Sequence, residues 1–148
     1  MDVDVDVVVV GAGPAGAAAA ITLARAGRSV RVIDKARFPR DKICGDGLTT
    51  GALRLLDELG LDPSTVPSWQ PVDDVVVTSP SGREVVFPLP RGAGSYAVVA
   101  RRAELDAALV DLAREAGAEV LEGHAVTAAR EDGDTIVIEA DGLPPTRA

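Results

Sequence analysis

Apolar positions near the start of the chain follow first a strand pattern and then a helix pattern. Val7–Val10 is a continuous β-branched run, which is typical of a strand buried on both faces of a parallel sheet. The apolar residues after the next, glycine-rich turn predict a helix over Ala17–Ala26, and Gly27 ends it. The segment Ser29–Asp34 predicts a second strand. Residues 5–34 are therefore predicted to form a complete βαβ unit.

Helix and strand patterns continue to alternate along the rest of the chain. Leucines at helical spacing predict helices over Thr50–Leu59 and Arg102–Ala116. Turn residues between apolar runs predict two β-hairpins, and two other apolar runs predict single strands. The hairpins pair Val72–Thr78 with Glu84–Leu89 and His124–Arg130 with Thr135–Ala140, and the single strands cover Tyr96–Ala100 and residues 118–123. This order predicts an α/β, Rossmann-like fold with antiparallel β-hairpin insertions.

The net charge of −8 narrows the classes of function. Nucleic-acid binding needs a basic surface and anionic lipid attracts basic segments, so the charge predicts neither partner. The single cysteine excludes an internal disulfide, which fits a reducing cytosol. The N-terminal stretch is acidic where a signal peptide would be basic, and no apolar run is long enough to span a bilayer. We therefore predict a cytoplasmic protein without a transmembrane segment.

Three glycines follow the first predicted strand at the spacing of a dinucleotide-binding loop. Gly11 would allow the tight turn, Gly13 would let the backbone approach a diphosphate, and Gly16 would let helix and strand pack closely. Pro14 suits the first helical turn, whose free N–H groups can bind phosphate oxygens. Asp34 ends the second strand, where a carboxylate accepts ribose hydroxyls. The βαβ context predicts a nucleotide site, and the loop alone leaves FAD and NAD open.

Four stretches of the sequence resemble one family of flavoproteins. They are VVVVGAGPAGAAAA, VIDKARFPRDKICGDGL, ALRLLDELGL and RRAELDAALVDLAREAGAEVLEGHAVTAAR. In this order they resemble the N-terminal part of the geranylgeranyl reductase family, which belongs to the p-hydroxybenzoate hydroxylase-like group. The glycine-rich stretch is common to many flavoproteins, whereas PRDKICGDGL is much more specific to this family. The resemblance covers essentially the whole chain and implies a Rossmann-like FAD-binding domain that is incomplete at its C-terminus.

The resemblance implies FAD as the cofactor and gives several residues a role. Arg102, in the pattern Arg-x-x-Leu-Asp, is implied to lie near the cofactor phosphates or ribose, with Arg101 as its competitor. The backbone of Val126 is implied to face the adenine. The implied cofactor-binding residues are Gly11, Gly13, Pro14, Ala15, Gly16, Asp34, Lys35, Cys44, Gly45, Arg102 and Val126. No metal site is predicted.

Cys44 is either a reactive thiol or a small residue that shapes the loop beside the cofactor. Gly45 and Gly47 remove side chains where backbone could approach a planar ring, and the resemblance implies that this segment lies on the flavin side. A nucleophilic thiol needs a basic partner; Lys42 is near in sequence, but the only histidine lies far along the chain. We favour a positioning role for Cys44 and assign no catalytic residue.

The whole chain, residues 1–148, is predicted to be part of one domain. Its predicted parts are the βαβ unit 5–34, a cofactor loop 35–48, a hairpin insertion 72–100 and a helix with a hairpin at 102–140. We expect His124 to be exposed or hydrogen-bonded, and Trp69 either to anchor a loop or to border an apolar substrate. Asp141-Gly142 is interpreted as a turn, so the second Gly-Asp motif of such flavoproteins is missing. We therefore expect an N-terminal fragment, or a gene that ends early.

By resemblance, the complete enzyme is expected to be an FAD-dependent oxidoreductase that reduces C=C bonds in prenyl chains of lipids or quinones. NAD(P)H or a ferredoxin-like donor would reduce the flavin, and an apolar substrate suggests peripheral contact with the inner face of the membrane. The isolated chain is expected to bind FAD weakly or not at all and to be inactive. The alternatives are a flavin-dependent monooxygenase or halogenase, or a catalytically inactive nucleotide-binding remnant. The long insertion after Asp34 disfavours a plain NAD-dependent dehydrogenase.

Overall fold

The structure is a computed structural model that describes residues 3–90 and 94–148. Residues 1–2, and residues 91–93 within the predicted insertion 72–100, lie outside the described residues. The helices are α1 (Pro14–Arg25), α2 (Thr50–Glu58) and α3 (Arg102–Glu115), and a short 3-10 helix covers Pro63–Thr65. The strands are β1 (Val3–Asp4), β2 (Val7–Val10), β3 (Val30–Asp34), β4 (Gly47–Thr49), β5 (Gln70–Pro71), β6 (Asp74–Thr78), β7 (Glu84–Pro88), β8 (Ala97–Val99), β9 (Glu119–Glu122), β10 (Val126–Asp132), β11 (Thr135–Ala140) and β12 (Thr146–Arg147).

A parallel sheet with the strand order β2-β3-β9 forms the centre of the fold. Strand β3 lies between the other two strands and is buried over its whole length, which suits its β-branched residues. The prediction that Val7–Val10 is buried on both faces is wrong, because β2 is an edge strand of this sheet and Val10 is 59% exposed. The strand itself has the predicted bounds.

Helices α1 and α3 contact each other and share one core with this sheet. Helix α1 begins at Pro14, earlier than the predicted Ala17, because proline is tolerated in the first helical turn. Helix α3 begins at the predicted Arg102. The buried residues of this core are Ala12, Ala17, Ala20, Ile21, Val30, Val32, Leu56, Leu61, Val66, Val98, Ala100, Leu105, Leu109, Val110, Ala113 and Ala118. The core is built mainly from Ala, Val and Leu, as the composition predicts.

A four-stranded sheet with the order β1-β12-β11-β10 packs against the parallel sheet through a second, smaller core. Ile33 of β3 contacts Ile138 and Ala140 of β11 in this core. The buried Arg31 joins the two sheets, because its guanidinium donates to Glu119 Oε2 and to Thr146 Oγ1, each at 2.8 Å. The β10–β11 hairpin agrees with the predicted one, although β10 begins at Val126. The sequence does not predict β1 or β12, because two-residue strands carry no period.

A small antiparallel sheet with the order β4-β8-β5 fixes the end of the cofactor loop. The prediction of a loop through residue 48 is wrong at its end, because Gly47 and Leu48 form β4 and pair with Val99 and Val98 of β8. Strand β8 therefore belongs to this sheet and not to the predicted hairpin insertion 72–100. Because α3 begins shortly after β8, the sheet places residues 44–46 beside the first turn of α3.

Strands β6 and β7 form the predicted first hairpin as a separate two-stranded sheet. Its paired strands are slightly shorter than predicted, since they begin at Asp74 and end at Pro88. Every residue of both strands is exposed. The large apolar side chains of this hairpin, each between 42% and 57% exposed, are Val75, Val76, Val77, Val85, Val86 and Phe87.

Candidate functional site

The turn between β2 and α1 needs glycine at two positions for different reasons. Gly11 has a φ of +96°, a conformation that L side chains rarely adopt. Gly16 faces the strand, and a Cβ there would overlap the carbonyl oxygen of Gly11 and lie 3.2 Å from Val9 Cγ1. Gly13 has an ordinary φ of −68°, and the nearest atom to a Cβ built there is 3.8 Å away. The three glycines thus correspond to a turn, an open approach to the backbone and a close helix–strand contact.

The first turn of α1 presents backbone donors that the helix cannot use itself. Gly13 is the N-cap, and no side chain caps this end. The first N–H inside the helix with a backbone acceptor is that of Ala17, which donates to the Gly13 carbonyl at 2.9 Å. The N–H groups of Ala15 and Gly16 therefore lie before the helical ladder, where the helix dipole favours an anion. Ala15 is exposed.

Asp34 at the end of β3 ties the phosphate loop to the sheet. Its Oδ2 accepts the N–H of Ala12 at 2.6 Å, and its Oδ1 accepts the N–H of Ala36 at 2.8 Å. Gly11 N–H also donates to the carbonyl of Ile33 at 2.8 Å. Each carboxylate oxygen can accept a second hydrogen bond, so these contacts leave Asp34 able to bind a hydroxyl. The carboxylate orders the loop in addition to its predicted ribose role.

A cavity of about 240 Å³ lies at the carboxyl ends of β2 and β3. Its position matches the general rule that ligands of open α/β sheets bind outside the carboxyl ends of the strands. The lining residues are Val10, Gly11, Ile33, Asp34, Lys35, Ala125 and Val126. Four of these lining residues are predicted from sequence: Gly11, Asp34, Lys35 and Val126. Gly11 and Val126 come from opposite ends of the chain. A larger cavity of about 390 Å³ beside α3 contains none of the predicted residues, so size does not identify the site.

A second cavity of about 360 Å³ contains another group of the predicted residues. Pro14 and Ala15 of α1 line it together with Cys44 and Arg102. Apart from Asp46, the remaining described residues of its lining carry no charge; they are Ala18, Gly47, Leu48, Ala52, Leu55, Leu56, Leu59, Ala100, Leu105 and Leu109. Gly45 is exposed and lines neither cavity. The Cys44 segment therefore lies at the first turn of α1, as a cofactor loop would.

The Cys44 thiol has a basic partner that sequence proximity does not reveal. The pKa of this thiol is lowered, first by the backbone N–H of Asp46 and then by the guanidinium of Arg102. Asp46 adopts a φ of 53°, and its Oδ1 accepts the N–H of Arg102 at 3.3 Å. Cys44 itself is exposed. Arg102 lies in α3, far from Cys44 in the sequence, so only the folded chain brings the two together. Neither Lys42 nor His124 contributes to the lowered pKa of the thiol.

The structure separates the two candidate arginines at the start of α3. The side chain of Arg101 is 76% exposed and lies 3.9 Å from Glu104, whereas that of Arg102 is 18% exposed and faces the cavity. Arg102 Nε and Nη2 donate to the two carboxylate oxygens of Asp106 at 2.8 and 3.0 Å. The Asp106 carboxylate, followed by a smaller effect of Cys44, raises the pKa of Arg102. Of the two, Arg102 is the one placed to contact a ligand at α1.

Two charged residues of this region are not among those predicted from sequence. Asp106 is fully buried between Arg102 and Arg40, and Arg40 Nη1 lies 3.0 Å from Asp106 Oδ2. A charged residue on the leucine-rich, buried face of a helix is the signal that could have identified Asp106, since such residues are rarely buried without a partner. Arg40 lies in the family-specific stretch PRDKICGDGL, but the sequence gives no signal for its ion pair with Asp106 of α3.

The structure assigns ordinary local roles to the two residues outside these cavities. The ring Nδ1 of His124 lies 2.7 Å from the carbonyl oxygen of Asp141, so the expectation of a hydrogen-bonded histidine is confirmed. Trp69 is half-buried and packs against the main core, which favours its role as a loop anchor. Asp141 and Gly142 form the expected turn. Within residues 3–90 and 94–148, no helix is long and apolar enough to cross a membrane, and no group of acidic, histidine or cysteine side chains could hold a metal ion.

The βαβ unit, its glycine loop and the cavity at its carboxyl edge define the class of this protein, a Rossmann-like dinucleotide-binding domain. The FAD binding domain family matches residues 4–141, and the chain belongs to that family. The family match therefore supports FAD as the nucleotide, whereas the glycine loop alone does not distinguish FAD from NAD.

Similar proteins agree with this family. A menaquinone reductase of Mycobacterium tuberculosis is 43% identical over 127 residues, which are 80% of this chain and 30% of that protein. A solved geranylgeranyl bacteriochlorophyll reductase-like protein of Thermoplasma acidophilum is 25% identical with a TM-score of 0.83, over 100% of this chain and 38% of that one. The predicted resemblance and fold class are confirmed.

A third match extends the fold to a different chemistry. A solved p-nitrophenol 4-monooxygenase of Pseudomonas putida is 21% identical with a TM-score of 0.84, over 100% of this chain and 40% of that one. At this identity the match shows the fold alone. The chain spans about 30% of the length of the menaquinone reductases that it matches.

Proposed function

We propose that this chain binds the ADP half of FAD and supplies that part of the cofactor site to an FAD-dependent oxidoreductase. The observation that carries the proposal is the meeting of the phosphate loop with the cavity at Asp34, at the carboxyl edge of the parallel sheet. Gly11 of the loop lines this cavity with Asp34, and Ala15 in the first turn of α1 lines the neighbouring cavity of about 360 Å³.

Each residue of the site has a separate task in the proposed complex. The first-turn N–H groups at Ala15 and Gly16 bind the diphosphate with help from the dipole of α1. Asp34 keeps the loop in place through Ala12 and accepts the ribose hydroxyls with its remaining lone pairs. The backbone of Val126 borders the adenine, and the exposed Lys35 lies at the rim of the cavity.

The second cavity is proposed to receive the part of FAD beyond the diphosphate. Cys44 and Arg102 line it next to α1, so a cofactor that leaves the phosphate loop passes these side chains. In this proposal Cys44 positions the loop and forms no covalent bond with the cofactor. When bound, the flavin supplies the redox chemistry, with NAD(P)H or another external donor as its reductant.

The proposed reaction of the natural-length protein is the reduction of a C=C bond in the prenyl chain of a quinone or lipid. Support comes from the menaquinone reductase at 43% identity and from the geranylgeranyl bacteriochlorophyll reductase-like structure. We place this reaction in the cytoplasm at the inner face of the membrane, where an apolar prenyl chain can be reached. The isolated 148 residues are proposed to retain weak affinity for FAD without activity.

A second candidate function is oxygenation or halogenation on the same scaffold. The fold is compatible with it, because a p-nitrophenol 4-monooxygenase shares this fold at a TM-score of 0.84. The menaquinone reductases at 43% and 42% identity favour the reductase over this candidate.

Product analysis with the natural-length protein that contains this chain tests the proposed reaction. The protein would be incubated with NADPH and menaquinone in the presence and absence of oxygen, and the products would be identified by mass spectrometry. A prenyl chain that gains hydrogen, formed without oxygen, is the expected result. An oxygenated or halogenated product would support the second candidate and contradict the reductase proposal. Arg102→Gln should lower turnover, whereas Arg101→Gln serves as the matched control on the exposed side of the same helix end.

A further inference from the structure

A buried carboxylate joins two arginines beside the phosphate loop. Asp106 is completely buried, and both of its oxygens face guanidinium groups. Arg102 forms a two-pronged ion pair with it at 2.8 and 3.0 Å, and Arg40 Nη1 lies 3.0 Å from Oδ2. These three residues are called the Arg40–Asp106–Arg102 cluster below.

Arg40 reaches from this cluster toward the phosphate loop. Its guanidinium lies over the ring of Phe38, with 4.9 Å from Cζ to the ring centroid. Its other terminal nitrogen, Nη2, would lie 3.8 Å from a Cβ at Gly13, the loop position at which a diphosphate is expected to approach. The side chain is thus held on one side by Asp106 and Phe38, and its free edge lies next to the loop.

The hydrogen bonding of Arg40 is incomplete. Its Nη1 is buried, and within the described residues this nitrogen makes no hydrogen bond of good geometry, although it is close to Asp106. An arginine held only by a stacked ring and a shared carboxylate keeps donors for another acceptor. Arg102 donates to both oxygens of Asp106, whereas Arg40 Nη1 makes no hydrogen bond to the part of the chain that the structure describes, so Arg40 is the member of the cluster with unused donors.

The charges of the cluster also favour an anion. Two guanidinium groups face a single buried carboxylate, so the cluster carries an excess positive charge. Asp46, a carboxylate of the cofactor loop, accepts the backbone N–H of Arg102. The two residues are arginines, whose planar guanidinium can contact a phosphate through two N–H groups; a lysine in either place would supply the charge but not this geometry.

We propose that Arg40 is a further diphosphate-binding residue and that Asp106 is the positioning residue that holds Arg40 and Arg102 toward the phosphate loop. The inference rests on the proposed function, because the diphosphate is that of the FAD assigned to this loop. It adds one residue that contacts the ligand and one that acts only through the two arginines.

The main test compares a ligand that has a diphosphate with one that has none. ADP and adenosine would be titrated into the natural-length protein, with adenosine measured by its displacement of FAD. In Arg40→Gln, the affinity for ADP should fall by about ten- to a hundredfold, since hydrogen bonds to charged groups are strong. The affinity for adenosine should stay unchanged. Arg40→Lys should restore part of the ADP affinity because it restores the charge.

A second variant tests the positioning role of Asp106. Asp106→Asn should also reduce ADP affinity, and the double variant with Arg40→Gln should lose less than the sum of the two single losses, because both changes disturb the same contact. Asp111→Asn is the matched control, since Asp111 is an exposed acid of α3 that pairs with Arg114 at 3.0 Å. Thermal unfolding of each variant separates misfolding from lost binding. If Asp106→Asn unfolds, the Arg40 variants still test the inference. Arg40 is partly exposed, so its substitution is expected to leave the protein folded.

The outcomes separate this inference from the proposed function. If the unaltered protein binds FAD and ADP but Arg40→Gln leaves ADP affinity unchanged, the cluster is purely structural and the inference is wrong, while the proposed function stands. Equal losses of ADP and adenosine affinity would overturn it in the same way. If the unaltered protein binds neither FAD nor ADP, the proposed function fails and this inference fails with it.

Discussion

The phosphate loop and the β6–β7 hairpin differ in how completely the described residues account for them. In the loop, the backbone N–H groups of Gly11 and Ala12 each donate a hydrogen bond to an acceptor at the end of β3. A third loop position, Gly16, has no room for a side chain. In the hairpin, apolar side chains on both faces are about half exposed.

The difference shows which kinds of feature a sequence describes well. The loop depends on contacts within the first 34 residues, between the glycine turn and the end of β3, so glycine spacing and the terminal acid of β3 are enough to identify it. The hairpin pattern predicts its pairing correctly but contains no information on what would cover its valines. An apolar surface on an isolated two-stranded sheet is typical of an interaction surface, since such a hairpin is marginally stable alone.

The largest effect is expected at the close contact inside the loop. Gly16→Val should destabilise the protein by more than about 3 kcal/mol, because its side chain would overlap the Gly11 carbonyl and force α1 away from β2. Chemical denaturation monitored by circular dichroism measures this loss. A Gly16→Val protein of normal stability would contradict the packing described for the loop.

Gly13→Ala is the matched control for this substitution. Gly13 has an ordinary φ, and a Cβ there meets nothing closer than 3.8 Å, so we expect a stability change of about 1 kcal/mol or less. The added methyl group occupies the space in which the diphosphate approaches the backbone. FAD affinity should therefore fall by about tenfold or more although the fold is retained, as measured by fluorescence titration.

Valines in the two regions should respond very differently to the same change. Val32→Ala, at 1% exposure in β3, should cost about 2–3 kcal/mol, because it removes buried methyl groups and leaves a cavity. Val76→Ala, at 56% exposure in β6, should change stability by less than about 0.5 kcal/mol. A large loss at Val76, measured by the same denaturation experiment in the natural-length protein, would mean that the hairpin is covered there.

The smallest predicted effect concerns the pH dependence of Cys44. The pKa of the folded thiol is lowered, so its thiolate forms at a lower pH than that of an ordinary cysteine. Alkylation by iodoacetamide should therefore reach half its maximal rate at a lower pH in the folded than in the denatured protein, and the single cysteine makes the measurement unambiguous. Arg102→Gln should raise this midpoint, whereas Arg101→Gln should not. Equal midpoints for the folded unaltered protein, Arg102→Gln and Arg101→Gln would contradict the contact between Cys44 and Arg102.

Sequence reasoning predicts those parts of the fold that have a period or a required glycine. The βαβ unit, α2, α3 and both hairpins follow from such patterns. Strands β1, β5 and β12 do not, because two residues are too few for a period to be visible. The exposure of Val10 is also not predictable, since a β-branched run gives no information on whether its strand lies at a sheet edge.

The candidate site shows the same division. Asp34, Lys35 and Val126, which are predicted from sequence, line one cavity, and Arg102 rather than Arg101 lines the cavity beside the loop. Arg40 and Asp106 are missed because their contacts join segments distant in sequence. Their roles depend on distances that only the folded chain provides.

A fluorescence titration with FAD is the most direct test of the central claim that this chain binds the ADP half of the cofactor. The natural-length protein should take up FAD saturably, and ADP should displace the FAD whereas FMN, which lacks the adenosine half, should not do so at the same concentration. Failure to bind FAD, or displacement by FMN but not by ADP, would contradict the account.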